Sequence, residues 1–173
     1  GWRHVACADL FVYHEGGASF GSQKDALITA NLRKLNALYP DYEGRVNRFE
    51  AADPLSLIRN RLSLEILKHR SPQPILYVAH ALGGGTERAL RDLSNLLQQE
   101  GTPVIVLRAL TPTIWQLESL VDGVHIRYEG DARWASIISD LKILGVTHIH
   151  YHQTFGFGPD VWSIPEALGV TYD

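Results

Sequence analysis

The residues best placed to do chemistry are a glycine turn and a set of alternating histidines. Gly83-Gly84-Gly85 follows the apolar run ILYVAH (residues 75–80) and precedes Thr86-Glu87-Arg88. In an open α/β sheet, ligands bind beyond the carboxyl ends of strands, where helix N-termini point. Glycines there let the backbone approach a ligand and leave amide donors for an anion such as a diphosphate. The dinucleotide fingerprint G-x-G-x-x-G is absent, and no Gly-Lys-Ser/Thr follows to make a P-loop. A tight strand-to-helix turn whose glycines serve only the backbone is the competing reading.

His148, His150 and His152 alternate along VTHIHY (residues 146–151) and its end. Alternate residues of a strand share a face, so the three rings can line up. Zinc would want a fourth ligand or a water and a second shell of partners, and the sequence displays neither. Structural histidines and a cleft-lining role for His150 or His152 are the other options. His152, at the carboxyl end beside Gln153-Thr154-Phe155-Gly156-Phe157-Gly158, holds the position where an open sheet binds ligands. Trp115, Trp134 and Trp162 can stack on sugar rings or simply pack. Arg88 and Arg91 can face a phosphate or sit as solvated helix charges.

These groups need elements to position them. Residues 9–14 (DLFVYH) read as a short strand ending at Glu15-Gly16-Gly17. A helix follows from Ser22 to Pro40. A second starts at a capping Asp41, and a third at Asp53-Pro54 runs to about His69. Ser71-Pro72-Gln73-Pro74 is the expected linker. Strands are then expected at 75–80, 103–107, 124–128, 146–151 and 170–172. Helices are expected at 86–100, 134–144 and 160–168. Strands separated by helices predict an α/β fold, a Rossmann-like open parallel sheet, preceded by a mostly helical segment with one short strand. The expected division is 1–70, a linker at 71–74, and 75–173.

The 173 residues are 45% hydrophobic and 20% charged, with net charge -3. That balance gives no reason to expect nucleic acid or an anionic membrane as partner. The single Cys7 cannot form an internal disulfide. No apolar run approaches the roughly 20 residues of a membrane span. The absence of methionine, the opening Gly1-Trp2 and the closing run from Leu168 to Asp173 suggest a piece of a longer protein.

The strand, the triple-glycine loop, Thr86-Glu87-Arg88 and then Arg91-Asp92-Leu93 together resemble the start of the GT-B-fold glycosyltransferases of family 4. The resemblance covers about residues 75–173, part of that fold's N-terminal domain. It implies that Gly83, Gly84, Gly85, Thr86, Glu87 and His152 line a cleft near the donor's phosphates, with no cofactor needed. The catalytic residues stay unassigned. Residues 9–21 and the helices carrying Tyr39-Pro40-Asp41-Tyr42 and Asp53-Pro54-Leu55 resemble the end of a family 2 glycosyltransferase domain of GT-A fold. That second likeness implies His14 as a ligand for a divalent cation, Mg or Mn, together with an upstream Asp-x-Asp motif that this sequence does not contain. The two together imply a tandem polysaccharide- or O-antigen-assembly enzyme of the cell envelope. It would use a nucleotide-sugar donor and a glycan or lipid-linked glycan acceptor, in the cytoplasm or at the inner face of the membrane. By itself this chain is expected to be inactive. A non-catalytic Rossmann-like domain holding a small anion is the alternative.

Overall fold

The computed structural model describes residues 24–173; the strand expected at 9–14, and with it His14, lies outside the described residues. Helices α1 (Lys24–Leu38), α2 (Tyr42–Ala52) and α3 (Ser56–Arg70) come first. Then follow β1 (Ile75–His80), α4 (Gly85–Gln99), β2 (Val104–Thr111), β3 (Ile114–Glu118), β4 (His125–Glu129), α5 (Arg133–Leu144), β5 (His148–Tyr151), a 3-10 turn (Pro159–Ser163), α6 (Ile164–Leu168) and β6 (Thr171–Tyr172). The chain divides into two compact units, the second running from Arg59 to Asp173.

In the first unit no residue of α1 or α2 is buried. Asp53 was expected to cap the start of α3. It closes α2, in the left-handed region at φ 38° with its N–H on the Phe49 carbonyl, and its own carbonyl accepts the Ser56 amide. The residue before a proline is kept out of the right-handed helical region, so α3 begins only at Ser56.

The second unit is an α/β fold around a six-stranded, mostly parallel sheet in the order β4-β3-β2-β1-β5-β6. The strands β2, β1, β5 and β6 are parallel, whereas β3 and β4 join antiparallel. The segment at 124–128 thus runs in the same direction as β2 but pairs antiparallel, with β3 set between them. The cause is β3, which sequence reading passed over. Residues 114–118 (IWQLE) alternate cleanly, with Trp115 and Leu117 fully buried, the pattern of a half-buried strand. The Thr111 hydroxyl accepts the amides of Thr113 and Ile114, and so turns β2 back on itself.

One sheet face carries the larger core. Leu76, Val78, Ile105, Leu107, Leu117, Ile126 and Ile149 meet Leu64 and Leu67 of α3, Ile137 and Leu141 of α5, and Ile164 of α6. The opposite face packs Tyr77, Ala79, Val104 and Val106 against Leu90 of α4. Burying each of the leucine, isoleucine and valine side chains stabilises the fold by about 1.5–3 kcal/mol. The tetrapeptide between α3 and β1 is tied down within this unit: Ser71 is buried, Gln73 donates to Leu144, and Thr147 donates to Pro74. The single helix expected over 160–168 is a 3-10 turn followed by a short α6, with Pro165 in the first turn of α6. A proline cannot supply an interior helical N–H, so the helix must restart there.

Candidate functional site

The crossover β1–α4–β2 lies on the face where Leu90 packs, and the path into β5 through α5 lies on the other. β1 therefore has neighbours reached by connections on opposite faces, β2 on one side and β5 on the other. That makes the carboxyl ends of β1 and β5 the topological switch point, where open α/β sheets bind their ligands. Two loops meet there. Residues 81–84 carry the glycines, and residues 152–158 follow β5. The second is drawn over β1 because His152 and Gln153 both donate their amides to the Val78 carbonyl, at 3.0 and 3.2 Å. Its far part crosses β2: a Cβ on Gly156 (φ 88°) would meet the Ala109 Cβ at 3.2 Å, and Phe157 packs edge-on against Trp115.

Gly83 and Gly84 have φ of 75° and 78°. With ψ at -152°, Gly84 occupies a region open essentially to glycine alone. A Cβ added to Gly83, Gly84 or Gly85 would meet nothing within 4 Å. The turn thus bares its backbone to open space. No side chain caps α4, so its first amides and its positive dipole end face that space.

Glu87, in the first turn of α4 just after the glycines, is engaged by two arginines. Its carboxylate receives Arg108 Nη2 at 2.6 Å and Arg91 Nε at 2.8 Å. Arg108 is the centre of the network, with a side chain only 7% exposed. Its Nε donates to Glu118 Oε1 at 2.5 Å and its Nη1 to the His80 carbonyl at 2.8 Å. Gln116 donates to the other Glu118 oxygen. A buried guanidinium is tolerable only when paired and hydrogen-bonded, and here it ties the end of β1 to the first turn of α4 and to β3. Sequence reading missed Arg108 and Glu118. The signal was one arginine inside the apolar run VIVLRAL, a charge that needs partners. Thr86 is half-buried beside Glu87, while Arg88 stays exposed.

The three histidines do share a face, with Tyr77. His148 Nε2 and His150 Nδ1 both bond Asp173 Oδ1, at 2.7 and 2.8 Å, and His148 Nδ1 bonds the Thr171 hydroxyl. These contacts hold the Asp173 carboxyl below its ordinary range. Burial, reinforced by Asp173, pushes the Tyr77 hydroxyl up. His152 packs edge-on to Tyr77 at 4.7 Å and to His150 at 4.4 Å. Burial, and then His150, lower its pKa, with Asp173 opposing in part. Its Nε2 is buried and has no hydrogen-bond partner among the described residues. Among the described residues no group of three or more His, Cys, Asp or Glu side chains is arranged to hold a metal ion. Of the tryptophans, Trp115 is fully buried and Trp134 packs against the core, while Trp162 is 55% exposed and stacks on Tyr151. No helix among the described residues is long and apolar enough to cross a membrane.

Comparison with protein-family models, with curated proteins and with solved structures finds no match to this chain.

Proposed function

We propose that the second unit forms one wall of a glycosyl-transfer cleft, and that Gly83, Gly84, Gly85 and the start of α4 approach the diphosphate of a nucleotide-sugar donor. The observation that carries this reading is the bare glycine turn at the switch point, with positive φ at two glycines and open space over all three. Backbone amides at a helix N-terminus suit a diphosphate, and they stabilise it further as it leaves with both electrons of the broken anomeric C–O bond. Thr86 adds a hydroxyl beside those amides. Glu87, held by two arginines, keeps its charge neutralised, so it does not repel an anion. His152, on the neighbouring loop, is a candidate contact for the sugar or the acceptor hydroxyl. A GT-B-like transferase needs no metal for this step. A metal-dependent GT-A-like step would belong to the segment carrying His14 and to a motif outside this chain.

The chain supplies one wall and no assigned catalytic base, so transfer is proposed for a longer enzyme, with a glycan or lipid-linked glycan as acceptor. The side chains of Leu27, Leu32 and Phe49 on α1 and α2 are exposed, which suits helices that belong to a larger domain. The test is turnover of a nucleotide-sugar panel by the complete polypeptide and by residues 1–173 alone. The reading expects transfer by the first and none by the second. Turnover by the isolated chain, or hydride transfer in place of sugar transfer by the whole, would sink it. One observation favours the alternative, a non-catalytic anion-binding domain: Glu87 and Glu118 are both engaged by Arg108, so neither is free to act as a base.

A further inference from the structure

We propose that His80 is a positioning residue of the glycine turn: its imidazole accepts the Leu82 amide on Nδ1 and thereby fixes the turn in its open form. The claim rests on the glycosyl-transfer reading only for what the turn holds. Packing does not hold this segment. The Leu82 side chain is 74% exposed, and the Cβ directions of Gly83 and Gly84 lead into open space. Among the described residues the turn is tied by the Leu82 N–H on His80 Nδ1 at 3.1 Å and by the Arg88 N–H on the Gly84 carbonyl at 3.3 Å.

His80 is itself anchored, because Arg108 Nη1 holds its carbonyl at 2.8 Å. The residue therefore passes the rigidity of a buried ion-pair network to a backbone that has no side chains to lean on. An acceptor on Nδ1 also fixes the tautomer: in the neutral ring the proton resides on Nε2. Removing the tie leaves two glycines free to rotate. An ordering cost then falls on any ligand that needs the open turn.

The experiment compares His80→Asn, His80→Gln and His80→Ala in the 173-residue chain. Asparagine places Oδ1 where Nδ1 stood and keeps the acceptor; glutamine reaches the Nε2 position and does not. Two readouts are taken: hydrogen exchange of the Leu82 amide, and affinity for inorganic pyrophosphate, UDP and GDP. We expect His80→Asn to keep the slow Leu82 exchange and native affinity. His80→Gln and His80→Ala should lose the protection and bind roughly three- to tenfold more weakly, the worth of one ordinary hydrogen bond.

Unchanged Leu82 exchange in His80→Ala, or equal protection in the Asn and Gln variants, overturns the proposal even if the probes bind. If no probe binds the native chain while the exchange pattern follows, the positioning role stands and the diphosphate reading fails. Should the variants not fold, ring 15N shifts of the native chain at mildly alkaline pH decide the matter. A proton-free Nδ1 supports the role, and a protonated Nδ1 refutes it.

Discussion

Arg108 is the residue on which the site's shape depends. It serves Glu87, Glu118 and the His80 carbonyl at once, and a methionine of similar length would leave two carboxylates without their shared cation. We predict that Arg108→Met lowers unfolding free energy by about 3–5 kcal/mol, the usual cost of breaking a buried pair from one side, as read from urea unfolding. His152 makes a second prediction. Its folded pKa is lowered, so between that value and the ordinary 6.5 the unfolded chain binds the extra proton. Stability then falls as pH drops below about 6.5 toward the folded value, with no contribution above it. His152→Phe should flatten that part of the stability–pH curve; an unchanged slope would show that other groups govern it. The histidine alternation was legible because strands repeat every two residues. Arg108 was not: the strand was ended at Leu107, which left the charge outside the element that buries it.

The glycine turn and α4 act together at the scale of elements. Gly84 lies at φ 78°, ψ -152°, so Gly84→Ala should cost on the order of 1–3 kcal/mol through backbone strain alone. Gly85 begins α4 with ordinary φ and open space around it, so Gly85→Ala should be neutral or stabilising by a few tenths to about 1 kcal/mol. Thermal unfolding of the pair checks this contrast, and equal losses would contradict it. The βαβ alternation was readable from ILYVAH and from the helical spacing after Thr86. The antiparallel β2–β3–β4 extension was not, because its turn is made by Thr111, Pro112 and Thr113 rather than by a glycine pair. The split at Pro165 was readable in principle, since proline inside an expected helix is itself a stop signal.

At the scale of the second unit, the sheet order sets where the switch point falls. With β2 and β5 on opposite sides of β1, the carboxyl ends of β1 and β5 are the place where open sheets bind ligands, and both loops that sequence reading singled out follow those ends. The core beneath must hold for the site to exist: Leu67 of α3 is fully buried, and Leu67→Ala should cost about 2–5 kcal/mol, measured by denaturant unfolding. The measurement that bears most directly on the central claim is a titration of the 15N-labelled chain with UDP, GDP and inorganic pyrophosphate. Amide shifts are expected to concentrate at residues 82–88, with lesser ones at 152–157, and to be lost in Gly84→Val. Shifts confined to other parts of the sheet, or none at millimolar ligand, would contradict it.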